Sequence, residues 1–189
     1  MQKNILLVLS LFLFSGCRVL GVRTHFERDL DIEERQKVIW MQECDAIDNL
    51  KNDGCIYAIT GTQLKKCLAR SEKALVYHWD PHCSSEFCHP LSVVQHFCEE
   101  HDVDLFVITE FFMDCFSQIK SLKDFPLLAI NERYYATDNC QRLENLFYTD
   151  LIGEDIYKQN AEISWYRYSY YENGNFVAFV RDYRTIINK

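Results

Sequence analysis

The sequence predicts an α/β protein in which a central mixed sheet is flanked by helices. Apolar runs of strand length alternate with segments whose apolar residues recur every three or four positions, a pattern typical of parallel βαβ units. Near the end of the chain, an Asn-Gly pair between two aromatic-rich runs predicts an antiparallel hairpin. The 189 residues, 48% of them hydrophobic, suffice for one domain with a substantial core.

Each element follows from its local composition. Runs rich in β-branched and aromatic residues predict strands, and the runs without polar alternation predict strands buried on both faces. The predicted strands cover residues 55–60, 74–79, 104–109 and 125–130, then 163–171 and 176–180 around the turn at Asn173 and Gly174. Helical spacing or composition predicts helices over residues 32–50, 62–70, 84–100, 114–122 and 138–151.

The N-terminal segment has the pattern of an export signal. Lys3 precedes an apolar run over residues 5–14, which is too short to span a bilayer. Ser15 and Gly16 then stand directly before Cys17, which resembles a bacterial lipoprotein signal. We expect residues 1–16 to be a signal peptide, Cys17 to be lipidated, residues 17–30 to be a tether and residues 31–189 to form the domain. An ordinary cleaved signal peptide and a retained anchor are the alternatives.

This signal implies a protein anchored to a membrane by lipid, in the periplasm or cell envelope. The net charge of −8 argues against a nucleic-acid binder, whose affinity would come from neutralising phosphates. An oxidising compartment permits disulfides among the cysteines that remain. Pairing stays open for six of them, and apolar contexts such as those of Cys67 and Cys98 favour simple packing. The six are Cys44, Cys55, Cys67, Cys98, Cys115 and Cys140.

Candidate chemistry lies between the predicted strand 74–79 and the predicted helix 84–100. A cysteine at a helix start has its thiolate stabilised by unpaired amides and peptide dipoles, and Cys83 is predicted to lie there. Cys88 follows five residues later, within the first turns of that helix. A second nearby sulfur is what a dithiol needs to release a mixed disulfide.

This segment resembles the thioredoxin-like superfamily. Trp79, Asp80, Pro81, His82 and Cys83 occupy in order the family positions of Trp, a small or acidic residue, Pro, an aromatic residue and Cys. The resemblance implies thiol-disulfide exchange on protein thiols or disulfides of the envelope, with no bound cofactor. It further implies a cis-proline facing the cysteines, for which Pro126 after Phe125 is the candidate.

The resemblance assigns roles residue by residue. Cys83 would be the attacking thiolate and Cys88 the resolving thiol, whereas Trp79, His82, Phe125 and Pro126 would form the substrate-binding surface. The chain departs from the family's Cys-x-x-Cys in having Cys-x-x-x-x-Cys, and residues 131–162 would be an insertion before the final hairpin. To reach Cys88, Cys83 must lie in the loop ahead of the helix.

Two other functions remain open. A thioredoxin-fold lipoprotein that has lost redox turnover could serve as a binding or assembly module, which the widened cysteine spacing favours. A metal carrier could use His78, His82, Cys83, Cys88 and His89, although adjacent residues rarely point at one ion. A lowered pKa of Cys83 and a reversible disulfide between Cys83 and Cys88 would distinguish thiol-disulfide exchange from the binding module.

Overall fold

The computed structural model describes residues 27–42, 47, 50–112, 114–119, 125–137, 139–153 and 166–188. The predicted signal peptide, the lipidation site Cys17, most of the tether and Cys44 lie outside these residues. Within the described part of the chain, no helix combines the length and the apolar character needed to cross a membrane.

Strands and helices alternate along the described chain. The strands are β1 (Val38–Trp40), β2 (Ile56–Ile59), β3 (Lys73–His78), β4 (Asp104–Thr109), β5 (Leu127–Ile130), β6 (Tyr168–Glu172) and β7 (Asn175–Val180). The α-helices are α1 (Ile32–Gln36), α2 (Gly61–Leu68), α3 (Leu91–Glu100), α4 (Cys115–Gln118), α5 (Glu132–Tyr135) and α6 (Cys140–Ile152). Short 3-10 helices cover Glu27–Asp29 and Tyr183–Asn188.

The described strands form one mixed sheet in the order β1-β2-β5-β4-β3-β6-β7. Strands β1 to β5 pair in parallel, β6 runs antiparallel to β3, and β7 runs antiparallel to β6. The prediction of an α/β protein with a mixed sheet and a final hairpin is therefore confirmed.

Helices cover both faces of the sheet. On one face Leu75 and Tyr77 of β3 belong to the core that includes Val94 and Phe97 of α3. On the other face Val76 belongs to the core that includes residues of α2 and α6, such as Leu64 and Phe147. The side chains of β3 alternate between these faces because successive residues of a strand point in opposite directions. Both faces being covered explains the apolar runs without polar alternation.

Helices α2 and α6 approach closely at Gly61. A Cβ atom at this position would collide with the carbonyl oxygen of Phe147 and would lie 2.9 Å from the backbone nitrogen of Leu151. Glycine therefore allows the first turn of α2 to pack against the backbone of α6, which fixes α6 over the carboxyl end of the sheet.

The hairpin turn is confirmed. Asn173 and Gly174 both have positive φ, 49° and 75°, as the Asn-Gly pair predicted. Gly174 also packs on Ala69, because an added Cβ would lie 2.6 Å from the Ala69 Cα.

The predicted helix over residues 32–50 is wrong. Helix α1 ends at Gln36, and residues 38–40 form the edge strand β1, which pairs with β2. The sequence Val-Ile-Trp favours an extended backbone over a helical one, and the apolar residues of this stretch were only loosely spaced. The capping box between Asp31 and Glu34 supports a short helix.

The predicted helix over residues 84–100 begins at Leu91, later than expected. Pro90 occupies the cap position, and a proline disfavours helical backbone in the residue before it. Residues 79–90 therefore form a loop. Helix α4 covers Cys115–Gln118 of the predicted 114–122, of which residues 120–122 lie outside the described residues, and α6 agrees with the predicted 138–151 within two residues.

Candidate functional site

The loop of residues 79–90 begins at the carboxyl end of β3 and carries the candidate cysteines. The backbone N–H of Trp79 donates to the carbonyl of Ile108 (2.8 Å), and that of His78 donates to the carbonyl of Arg167 (2.8 Å). The start of the loop is thereby fastened to the strands on both sides. Trp79 is 6% exposed and lies in the core, so it supports the loop from beneath and presents no surface to a client protein.

Cys83 and Cys88 form a disulfide in this loop. Their Cα atoms are 5.9 Å apart, within the range that a disulfide takes. Turns shape the loop for this pairing, since Cys83 N–H donates to Asp80 O (3.1 Å) and Cys88 N–H donates to Ser85 O (3.0 Å). The Ser85 Oγ lies 3.4 Å from each sulfur. Both cysteines are half-buried, and Ser84 and Ser85 between them are exposed.

The expected placement of Cys83 at the start of a helix is wrong. Helix α3 begins at Leu91, after both cysteines. The peptide dipoles and free amides of a helix act within its first turn, so they do not reach Cys83. The expectation that Cys83 must lie in a loop ahead of the helix in order to reach Cys88 agrees with the structure.

His82 lies beside Cys83 on the exposed side of the loop. Its backbone N–H donates to the Asp80 carboxylate (2.8 Å), and its Nε2 lies 2.7 Å from a carboxylate oxygen of Asp114. Both side chains are half-exposed. The contact with Asp114 ties this arm of the loop to the segment that follows β4.

The structure does not bring Phe125 and Pro126 to the cysteines. They line a cavity of about 360 Å³ together with Arg70, Ser71 and Asp104, which precede β3 or begin β4. Cys83 follows the opposite, carboxyl end of β3. The peptide bond before Pro126 is trans, since the described residues contain no cis peptide.

The direction of β5 keeps Phe125 and Pro126 away from the cysteines. Pro126 leads into a strand that is parallel to β4 and hence to β3, so the residues before β5 lie toward the amino ends of these strands. Strand β6, by contrast, is antiparallel to β3 and begins beside its carboxyl end. Arg167, directly before β6, therefore lies at this end of β3, where its carbonyl accepts a hydrogen bond from the backbone N–H of His78.

The second arm of the loop is anchored to the core through His89. Its Nδ1 lies 3.1 Å from the hydroxyl of Tyr168, and its carbonyl accepts a hydrogen bond from the hydroxyl of Tyr77 (2.9 Å). The rings of Tyr77 and Tyr168 stack with centroids 4.5 Å apart. His89 also packs edge-on against Tyr183. Its role is therefore to fix the loop to the sheet.

A group of ionisable side chains lies at the same end of the sheet on the face covered by α6. His78 Nε2 is 3.3 Å from a Glu110 carboxylate oxygen, and His78 Nδ1 is 3.3 Å from a Glu144 carboxylate oxygen. His78 is 4% exposed, Glu110 14% and Glu144 13%. Among the described residues, these three are the group whose ligand atoms could meet at one ion. The metal set considered from the sequence, with His82, Cys83, Cys88 and His89, is not assembled.

The environment shifts the pKa values of this group. Burial, together with the charge of Glu144, raises the pKa of Glu110 to about 7. Burial lowers the pKa of His78, but the charges of Glu110 and Glu144 outweigh burial and raise it above its usual value. The three side chains therefore depend on one another for their charge state.

Part of this group could have been found from the sequence. Glu110 directly follows the predicted strand 104–109, and His78 lies at the end of the predicted strand 74–79. The carboxyl ends of neighbouring parallel strands meet at one edge of a sheet, so these two residues were candidates for contact. Glu144 comes from a helix, and no sequence signal related it to His78.

The remaining described cysteines are not candidates for the reaction. Cys67 is disulfide-bonded, which corrects the expectation of simple apolar packing for that residue, and its partner is outside the described residues. Cys55, Cys98, Cys115 and Cys140 are not disulfide-bonded. Burial raises the pKa of both Cys98 and Cys115 to about 12, so neither is a thiolate near neutral pH.

Comparison with known proteins gives no relative on which to base an assignment. The chain matches no family model, no curated protein and no solved structure. The function must therefore be argued from the side chains at the carboxyl end of β3.

Proposed function

We propose that the protein carries out thiol-disulfide exchange through Cys83 and Cys88. The observation that carries the proposal is the position of this disulfide. It joins two half-buried cysteines across a short loop, next to exposed serines, at the carboxyl end of a central strand. Open α/β sheets bind their ligands at that edge. A client sulfur can approach this bond without unfolding of the core.

The exchange needs only the two cysteines and a client. In the reductive direction, the Cys83 thiolate attacks one sulfur of a client disulfide, a mixed disulfide forms, and the other client sulfur leaves as a thiolate. The Cys88 thiolate then attacks Cys83 Sγ, which closes the Cys83–Cys88 bond and releases the second client thiolate. The cysteine pair supplies the two electrons. The reverse sequence oxidises a client dithiol.

Groups beside the two cysteines are placed to stabilise a thiolate of the reduced pair. The Ser85 hydroxyl, 3.4 Å from both sulfurs, is placed to donate a hydrogen bond to a thiolate. His82, held by Asp114 beside Cys83, adds a group that stabilises negative charge when protonated. These contacts would stabilise a thiolate in place of the helix N-terminus that the loop lacks.

The sheet supports a thioredoxin-like assignment in outline. Its mixed pairing, the helices on both faces and the final hairpin agree with the resemblance seen in the sequence. The trans peptide at Pro126 and the extra parallel strand β5 do not. We further propose, from Ser15, Gly16 and Cys17, that the protein is a lipoprotein of the periplasm or cell envelope, whose clients are protein thiols or disulfides there.

One observation favours the second function, a binding or assembly module without redox turnover. Both cysteines precede α3, so no helix dipole activates either thiol. In that case the disulfide would only shape the loop.

A trapping experiment distinguishes the two functions. A client peptide with one disulfide is mixed with reduced protein, and the products are identified by mass spectrometry after alkylation. Exchange with Cys83 as the attacking thiolate predicts that Cys88→Ser accumulates a mixed disulfide at Cys83, that Cys83→Ser accumulates none at Cys88, and that the control Cys55→Ser behaves as wild type.

A redox titration completes the test. Across glutathione ratios, Cys83 and Cys88 should interconvert as one pair at a potential between about −120 and −270 mV, the range of exchange catalysts. A bond that resists reduction throughout this range, or trapping that does not depend on Cys83, would favour the binding module.

A further inference from the structure

We propose that His78, Glu110 and Glu144 form a binding site for a divalent transition-metal ion, with zinc as the representative. This inference does not depend on the exchange reaction. The three residues come from the end of β3, from the residue after β4 and from α6, and no sequence motif connects them.

The distances suit such an ion. Zinc lies about 2.1 Å from histidine nitrogen and carboxylate oxygen, so two ligand atoms on a tetrahedral ion are about 3.4 Å apart. Each carboxylate has an oxygen 3.3 Å from a His78 ring nitrogen. One ligand atom from each residue can be chosen so that all three lie within 4.8 Å of one another. Because the two carboxylates contact different ring nitrogens, the ion would bind one nitrogen, and the carboxylate at the other nitrogen would have to rotate to reach it.

The local charge also suits a divalent cation. The fixed charges that act on Glu110 are those of Glu144, Asp80 and Arg167, besides His78. With Glu110 ionised and His78 neutral, as a metal ligand must be, the charges of Glu110, Glu144, Asp80 and Arg167 sum to −2. Carboxylates this close and this buried disfavour each other's ionisation, and a bound cation removes that conflict.

Buried hydroxyl groups lie on the same face of the sheet as His78. The hydroxyl oxygens of Ser169 and Tyr171 are buried, and Ser169 interacts with the hydroxyls of Tyr148 and Tyr171. Ser169 pairs with Val76, whose side chain is on the same face as His78. Tyr148, one turn after Glu144 on α6, lies beside His78 with ring centroids 6.1 Å apart. These hydroxyl groups offer polar partners to a water ligand of a bound ion, which an apolar core would not.

The competing occupant of this site is a proton. A protonated His78 can donate to both carboxylates at once with the same distances. Elemental analysis distinguishes the two occupants, because a protein whose site holds only a proton contains no stoichiometric metal ion.

Zinc binding is tested on the full chain after removal of metals with a chelator. The protein is dialysed against zinc chloride, zinc is counted by elemental analysis, and affinity is measured by competition with a zinc-sensitive dye. We expect one ion per chain at this site and at least a tenfold loss of affinity in Glu110→Gln and in Glu144→Gln, which keep the side-chain shape. Glu132→Gln, a partly buried glutamate elsewhere, should bind as wild type.

The cysteines are controlled separately. A variant with both Cys83→Ser and Cys88→Ser should keep the zinc, and X-ray absorption of the wild-type complex should show nitrogen and oxygen ligands without sulfur. This last measurement needs no variant to fold. The proposal is overturned if the folded wild-type protein takes up no stoichiometric zinc, if sulfur ligands appear, or if both glutamine variants retain full affinity.

Discussion

Replacing Cys83 and Cys88 together by serine measures how much the disulfide contributes to the fold. The bond joins cysteines with a sequence separation of 5. In the chain-entropy account, the stabilisation by a disulfide grows with the logarithm of the loop that it closes, and a loop this short gives only about 2 kcal/mol. We therefore expect the double variant to fold and to lose about 2 kcal/mol of unfolding free energy.

The loss should be small for a second reason. The arm that carries Cys88 is held to the core by hydrogen bonds of His89 with Tyr77 and Tyr168 that do not involve sulfur. Urea unfolding at neutral pH, followed by tryptophan fluorescence and circular dichroism, measures the difference. Serine variants are preferable to a chemical reductant, because a reductant would also open the disulfide at Cys67. Cys55→Ser controls for the exchange of sulfur for oxygen.

A loss above about 4 kcal/mol, or a variant that does not fold, would refute this reasoning. The bond would then be a structural support of the domain, and a protein that opened it during each reaction cycle would lose much of its stability. Exchange through this pair would be untenable, and the binding module would become the better assignment.

Two further predictions concern other parts of the fold. Gly61→Ala should cost about 3 kcal/mol in unfolding free energy, because its neighbours include backbone atoms of α6 that cannot move aside. Gly153→Ala meets open space at φ 85° and should cost only about 1–2 kcal/mol, from the strain of a left-handed backbone. Equal costs for the two variants would contradict the close approach of α2 and α6. Burial raises the pKa of Glu132 to about 7, so the fold favours its protonated form and this contribution to stability is lost as the pH rises from about 4.5 to 7. Glu132→Gln should therefore be more stable than wild type by about 1–2 kcal/mol at pH 8, a figure reduced for its partial exposure, and equally stable near pH 4; parallel pH profiles of unfolding would contradict this.

The sequence predicted best those elements whose signals are local. Strand β4 has the predicted bounds, and the turn at Asn173 and Gly174 was specified by two residues that tolerate positive φ. Strand β1 was missed because three extended residues after a capped helical turn give too short a pattern to separate from a longer helix. The loop before α3 was missed because Pro90 was overlooked as a helix boundary.

The candidate site was only half predictable. Cys83 and Cys88 were found because the chemistry of a cysteine pair is visible in their spacing. Pro126 was misplaced because its position depends on whether β5 runs parallel or antiparallel to β3, and strand direction is decided by the whole chain. Glu144 reaches His78 through the packing of α6, for which Gly61 makes room, and such long-range packing leaves no local trace.

The two arms of the cysteine loop are held to the fold by different kinds of contact. The Cys88 arm is hydrogen-bonded to buried tyrosines, whereas the Cys83 arm is held by the half-exposed pair of His82 and Asp114. We therefore expect reduction of the disulfide to leave the Cys88 arm in place and to let the Cys83 arm move. The Cys83 sulfur would then be the one that reaches a client. The Cys88 sulfur would stay where Cys83 must return for the disulfide to form again.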